Sequence, residues 1–159
     1  MDFTTPDLYD ANEKDVRVAE PLFRSYGGAA RFSGRVVTLK VFEDNSLVRT
    51  ALEEPGQGQV LVVDGGGSTR CALVGDQLAV LAEKNDWAGI IVFGCIRDSL
   101  EIGKINIGVK ALNTNPKKSV KKGAGDRNTP VTFAGVTFSP GDYVYADEDG
   151  ILLSTKKLS

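Results

Sequence analysis

The run Gly89–Cys95, GIIVFGC, narrows the fold more than any other part of this sequence. It is apolar at nearly every position, too short to cross a bilayer and bounded by glycine, which describes a strand covered on both faces rather than one that alternates between core and water. Strands of that kind belong to α/β folds, in which other layers lie over both sides of the sheet. Gln59–Val63 (QVLVV), closed by Asp64-Gly65-Gly66-Gly67, and Cys71–Val74 (CALV), closed by Gly75, repeat the theme. From Asp76 to Asn85, Leu78, Leu81 and Ala82 recur at helical spacing. Arg35–Phe42 (RVVTLKVF) reads as a further strand, after which Asn45 is expected to cap a helix carrying Leu47, Val48 and Leu52. Near the start, Thr5 ahead of Pro6 predicts an N-cap with proline at the first helical position, opening a short packing helix through Leu8 and Ala11.

Beyond Lys104 the character changes. A loop carrying Lys117, Lys118, Lys121 and Lys122 leads into short β segments at Val131–Phe133, Val136–Phe138, Tyr143–Ala146 and Ile151–Leu153, which suit antiparallel hairpins. A chain of 159 residues supports one substantial core. The expectation is therefore a single α/β domain over residues 1–159, with a mixed central sheet, helices in the first two thirds and C-terminal antiparallel hairpins.

Histidine does not occur, which removes imidazole bases, His-containing triads and His-rich zinc sites. Catalysis would have to use carboxylates, arginine, lysine, backbone amides, water or a hard metal ion. Cys71 and Cys95 lie within apolar stretches and are expected as buried free thiols rather than as a disulfide. A formal net charge of −2 gives no overall field that would gather nucleic acid or an anionic membrane. The N-terminal MDFTTPDLYD has no signal-peptide pattern and no apolar run is long enough to span a bilayer, so a cytoplasmic protein is expected.

Three polar groups follow strand ends, where open α/β sheets tend to hold ligands. Gly75-Asp76-Gln77-Leu78 joins a strand to a helix whose first turn offers unpaired N–H groups to an anion such as a substrate carboxylate. The same residues also make an ordinary turn with Asp76 as a cap. Arg97-Asp98-Ser99-Leu100-Glu101 sets a planar cationic fork beside a hard oxygen ligand, a pairing suited to a metal-assisted oxyanion site or, more simply, to a surface ion pair. Asp64-Gly65-Gly66-Gly67-Ser68-Thr69-Arg70 lacks the lysine and spacing of a phosphate loop and reads as a tight structural loop, with Arg70 in solvent. The lysine-rich PKKSVKK has no aromatic residue interleaved for base stacking, so it reads as a solvated loop. Asp142, Asp147, Glu148 and Asp149 lack calcium-loop spacing and suit turn formation through Asp149-Gly150.

Taken together, EPLFRSYGG, FSGRVVTLKVFEDN, GQVLVVDGGGSTRCALVGDQLA, GIIVFGCIRD and VTFAGVTFSPGDYVYADEDGILLS resemble the class II aldolase/RraA-like family, which joins 4-hydroxy-4-methyl-2-oxoglutarate aldolases with regulators of ribonuclease activity. The most diagnostic part is Gly75 placed ahead of Arg97-Asp98-Ser99-Leu100-Glu101. The resemblance implies a swivelling β/β/α fold, assembled as a homotrimer or dimer of trimers with sites between subunits. It further implies that the backbone of Gly75, Asp76, Gln77 and Leu78 holds a small 2-oxo acid, that Arg97 binds its 2-oxo acid end, and that Asp98 binds Mg²⁺ or Mn²⁺. The reaction implied is cleavage of 4-hydroxy-4-methyl-2-oxoglutarate to two pyruvates through a pyruvate enolate. Oxaloacetate decarboxylation is the expected secondary activity, because loss of CO₂ leaves the same enolate.

Candidates for the base are Asp76 or its ordered water, ranked first, then a metal-bound water or a neighbouring subunit's carboxylate. Glu101 is expected one step further out, steering Arg97 or a metal-bound water. The alternative function under the same resemblance is a non-catalytic regulator that binds and inhibits ribonuclease E. Asp98 favours the enzyme, since regulator-type relatives often lack the aspartate next to the arginine.

Overall fold

The computed structural model describes residues 2–158 and begins with helix α1 (Thr5–Asn12), strands β1 (Val16–Val18), β2 (Arg24–Ser25) and β3 (Phe32–Lys40), and helix α2 (Ser46–Leu52). Strands β4 (Val60–Asp64) and β5 (Ala72–Val74), helix α3 (Asp76–Lys84), strand β6 (Gly89–Ile96), helix α4 (Ser99–Ile102) and strand β7 (Gly108–Thr114) follow. The last part is all strand: β8 (Asp126–Arg127), β9 (Val131–Phe133), β10 (Val136–Phe138), β11 (Tyr143–Asp147) and β12 (Gly150–Ser154).

Ten strands form one mixed sheet in the order β1-β12-β11-β3-β4-β6-β7-β2, with β5 paired to β6 and β8 to β3; β9 and β10 form a separate antiparallel hairpin. β3, β4, β6 and β7 run parallel, whereas β1, β12, β11 and β3 pair antiparallel. The mixed α/β architecture agrees with the reading of the sequence, and the apolar runs became its centre. β4 is buried along its whole length because its alternating side chains enter two different cores: Leu61 and Val63 pack with the α2 and α3 side, Val60 and Val62 with Phe133 and Phe138. Each such Val or Leu contributes about 1.5–3 kcal/mol relative to exposure, which is why this short strand fixes the register of its neighbours. Among the described residues, no helix is long and apolar enough to cross a membrane.

Several local expectations change. Thr4, not Thr5, caps α1, its hydroxyl accepting the Asp7 N–H at 3.2 Å. Thr5 is diverted by a stronger partner: its N–H and hydroxyl both donate to the buried Asp147 carboxylate at 2.7 Å. Asn45 occupies the N-cap position of α2 but makes no side-chain cap, because its amide donates to the Leu73 carbonyl at 3.1 Å. Asp44 does that work instead, accepting the Ser46 N–H at 2.9 Å. β7 is a parallel strand in a segment read only as the approach to a loop. Its central Lys110 is buried, donating to the Asp147 carbonyl at 2.6 Å, and burial pushes that ammonium down from its ordinary value.

Candidate active site

β5 and β6 lie side by side and parallel, so the two segments that leave them, Gly75–Leu78 and Arg97–Asp98, emerge at the same end of the sheet. The chain is tied there by the Arg97 N–H, which donates to the Val74 carbonyl at 2.9 Å. Gly75 is the N-cap of α3 and has no side chain to satisfy the helix end. Asp98 supplies what is missing: its Oδ2 accepts the Asp76 N–H at 3.1 Å. A carboxylate in that position also meets the positive end of the helix. A Cβ on residue 75 would lie 2.8 Å from Asp98 Oδ2, so the absence of a side chain at Gly75 is what allows the carboxylate to sit there. Asp98 itself is left-handed, with φ 60° and ψ 39°, and turns the chain sharply into α4.

These segments wall a cleft of about 200 Å³ together with Ala72, Asn45, Arg49, Lys118, Ser119 and Lys121. Six of the residues singled out in the sequence therefore meet in one place: Gly75, Asp76, Gln77, Leu78, Arg97 and Asp98. Glu101 does not join them; its carboxylate pairs with Lys104 at 3.3 Å, one helical turn along, while the Arg97 guanidinium donates to the Pro116 carbonyl at 3.4 Å. The expected steering of Arg97 by Glu101 is thus not made within the chain. Arg70 is likewise occupied elsewhere, in a 2.6 Å ion pair with Glu43 and over the Phe42 ring. The triple glycine is a tight turn, with Gly66 and Gly67 at positive φ and the Asp64 carboxylate accepting the Gly66 N–H at 2.9 Å. Cys71 and Cys95 are buried free thiols.

The lysine loop is exposed at Lys117, Lys118, Lys121 and Lys122, as the sequence reading had it, but Lys118 and Lys121 also line the cleft, which that reading did not foresee. It crosses to the cleft because Asp44, buried at the start of α2, accepts N–H donors from Lys122 at 2.9 Å and Ala124 at 3.2 Å, besides the Ser46 N–H and hydroxyl. Burial works to raise the Asp44 carboxyl, but these hydrogen bonds outweigh it and hold the group at about 2. Backbone bridges from Ala72 to Lys118 and from Asp44 to Val120 complete the attachment.

The lining now carries four cations, Arg49, Arg97, Lys118 and Lys121, against two carboxylates, Asp76 and Asp98, and is locally positive on a chain whose formal net charge is −2. Focused charge of that sign favours a small dianion. Asn45 adds an acceptor: with its amide nitrogen committed to Leu73, its Oδ1 is buried and has no partner among the described residues. The sequence marked Arg97, Asp98 and the α3 entrance; it carried no signal for Asn45, Arg49 or the lysines, which reach the cleft only through tertiary contacts.

The family model for RraA-like proteins, described as Aldolase/RraA, matches residues 5–153. A protein of Aromatoleum aromaticum named "Putative 4-hydroxy-4-methyl-2-oxoglutarate aldolase" is 66% identical, the alignment covering 99% of each chain. Among solved structures, the RNA-processing inhibitor RraA from Thermus thermophilis superposes with a TM-score of 0.96 at 49% identity, covering 100% of this chain and 96% of that one. A Geobacillus kaustophilus protein described as S-adenosylmethionine: 2-dimethylmenaquinone methyltransferase gives the same TM-score at 52% identity, covering 98% and 96%. Whole-chain relatives thus carry three different functional descriptions, two of them on solved structures of nearly the same fold, so the choice among them rests on the site. A family match over this span, with whole-chain relatives of such identity, places the protein: the chain belongs to the RraA-like family.

Proposed function

We propose that the cleft is the active site of a divalent-metal-dependent aldolase that cleaves 4-hydroxy-4-methyl-2-oxoglutarate to two pyruvates and, more slowly, decarboxylates oxaloacetate. The observation that carries the proposal is the convergence of Arg97, Asp98 and the first turn of α3 on one cationic cleft. The proposed substrate carries two carboxylates and is complementary to a lining that has two more cations than carboxylates before any metal ion is counted. A quinone precursor would need an apolar groove, whereas Ala72 and Leu78 are the only apolar side chains here besides charged and polar ones. The volume also falls below the roughly 300–1,000 Å³ of sites that enclose larger cofactors.

In this reading the substrate's 2-oxo acid end meets Arg97 and the exposed N–H groups at the start of α3, which fix its orientation. Asp76, the other carboxylate of the cleft, takes the proton of the 4-hydroxyl. The bond between C3 and C4 breaks, its electron pair moves onto the 2-oxo end as the pyruvate enolate, and the other half leaves as pyruvate. Arg97 stands where that negative charge develops, and protonation of the enolate carbon gives the second pyruvate.

A hard divalent cation fits the donors present. Asp98 uses one oxygen for the Asp76 N–H, and among the described residues its other oxygen accepts no hydrogen bond from the chain. The described residues contain no cluster of three or more acidic, Cys or His side chains, so Mg²⁺ or Mn²⁺ held by Asp98 would keep water and substrate as its remaining ligands, as Mg²⁺ does at sites with one carboxylate. When bound, the ion supplies Lewis-acid polarisation of the 2-oxo oxygen.

Assembly as a homotrimer or dimer of trimers belongs to the same proposal. Leu100, 75% exposed and two residues beyond Asp98, offers apolar surface beside the cleft for a neighbouring copy to cover. Likeness to the Thermus inhibitor favours a second reading, protein-contact inhibition of ribonuclease E. Pyruvate release from the hydroxy-oxo diacid, followed with Mg²⁺, with EDTA and in Asp98→Ala, separates the two. Turnover abolished by EDTA and by the substitution is the expected result. Turnover indifferent to both would remove the metal assignment, and tight ribonuclease E binding without any pyruvate release would replace the aldolase with the regulator.

A further inference from the structure

We infer that a second cavity, at the opposite end of the parallel strands, binds a small phosphomonoester that carries a polar ring, on the evidence of two cations that make no ion pair among the described residues, one over a tyrosine ring and one at the cavity rim. This cavity measures about 430 Å³ and lies where β3 and β4 begin, whereas the aldolase cleft lies where β5 and β6 end.

Sheet register builds its floor. Tyr143 pairs with Arg35 and Tyr145 with Ser33 across β11 and β3, so the four side chains share one face. On that face α1 and the C-terminal tail cover Phe3, Leu8, Leu152 and Leu158 around the Tyr145 ring. The tail is pinned by the Leu158 N–H, which donates to Tyr145 Oη at 2.8 Å and sets Lys157 at the cavity rim. On the other side the Gln57-Gly58 turn closes down, with both residues at positive φ (54° and 75°). Any side chain at Gly34 would collide with the Gly58 carbonyl, so the turn's approach depends on that glycine. A non-glycine residue held left-handed at a cavity rim is the kind of local strain that clusters at ligand sites.

Charge gives the cavity its selectivity. Arg35 and Lys157 line it and no carboxylate does. Ion pairs elsewhere engage Arg17, Arg31, Arg70, Lys104, Arg127 and Lys156; neither Arg35 nor Lys157 takes part in one among the described residues. The Arg35 guanidinium is held 5.7 Å from the centroid of the Tyr143 ring, which orients its planar fork before any ligand arrives. A fork and an ammonium together suit a phosphate dianion, while Ser33, Gln57, Gln59 and the tyrosine rings offer polar edges and flat surface to a ring attached to it. A hydroxy-oxo diacid that coordinates a metal has no counterpart here, because the cavity lacks any acidic ligand.

The test uses the full chain, with adenosine monophosphate, ribose 5-phosphate and inorganic phosphate titrated by calorimetry at low salt. Saturable binding of a ring-bearing ester is expected, weakened about tenfold by Arg35→Ala or by Lys157→Ala, the loss of one charge-assisted contact. Both side chains are exposed, so the variants should melt with the native chain. Tyr143→Ala is expected to weaken the ring-bearing esters more than inorganic phosphate. Arg97→Ala, which disarms the first cleft, should leave this binding intact. Failure of every probe to saturate, indifference to Arg35→Ala and Lys157→Ala, or loss of binding in Arg97→Ala would each overturn the inference, whatever the lyase assays show. Inorganic phosphate binding as tightly as its esters would remove the ring from the ligand class.

Discussion

Replacing Gly75 with alanine tests the geometry of the proposed aldolase cleft with little disturbance of the fold. The backbone there, φ −119° and ψ −172°, is extended and open to any residue, so the substitution creates no torsional strain. Its Cβ would meet Asp98 Oδ2 at 2.8 Å, whereas ordinary contact begins near 3.4 Å, so the carboxylate must withdraw by about 0.6 Å. That movement loosens the 3.1 Å hydrogen bond to the Asp76 N–H and shifts the proposed metal ligand relative to Arg97. Loss of a favourable N-cap residue costs about 1 kcal/mol, equivalent to a melting shift of about 2–4 °C in a chain of this size. Misplacing a reacting group by about 1 Å can cost on the order of 100-fold, so Gly75→Ala should lower kcat/KM by about 10- to 100-fold. Pyruvate release coupled to lactate dehydrogenase, beside a thermal melt, reads both quantities. Native-like turnover in the folded variant would refute the placement of chemistry at this cleft.

Asp44→Asn should destabilise the chain by about 2 kcal/mol at neutral pH, the free-energy equivalent of holding a carboxyl at about 2 rather than 3.8. Because the folded value is the depressed one, this stabilisation is present above pH 4 and lost as the pH falls toward 2; urea unfolding of both proteins from pH 7 to 3 should show their difference shrinking, and a constant difference would assign the effect to packing. Lys118→Ala and Lys121→Ala should raise KM for the diacid several-fold with smaller effects on kcat, and the difference from the native enzyme should narrow in high salt. Glu101→Gln should leave kcat/KM within about twofold, as expected for a side chain whose exposed pairing with Lys104 is worth little; a loss of 100-fold would mean that Glu101 reaches the site in the assembled protein.

The parts of the fold legible in the sequence were those whose partners do not need to be known. GIIVFGC and QVLVV announced buried strands because continuous burial leaves its mark in composition, and Leu78, Leu81 and Ala82 announced α3 because helical spacing is local. β7 stayed hidden because Lys110 interrupts its apolar pattern, and the carbonyl that accepts its ammonium lies on a hairpin 37 residues away. The caps were misassigned for a related reason: Thr5 and Asn45 are good capping residues in isolation, but Asp147 and the Leu73 carbonyl compete for their side chains. In the site, Gly75, Arg97 and Asp98 could be read because short turns after adjacent strands converge. The four-lysine loop could not, because its position depends on Asp44, more than seventy residues earlier in the chain.

The left-handed backbone at Asp98 bears on how this family can diverge. Only glycine, asparagine and aspartate adopt that conformation readily, so most replacements at this position are opposed by the backbone before chemistry is considered. Asparagine is the exception: it keeps the turn and a carbonyl oxygen for the Asp76 N–H, yet discards the negative charge. Since a single base change converts an aspartate codon to an asparagine codon, under the metal role proposed for Asp98 a lineage can abandon catalysis in one step while its architecture survives intact, free to be recruited for another purpose.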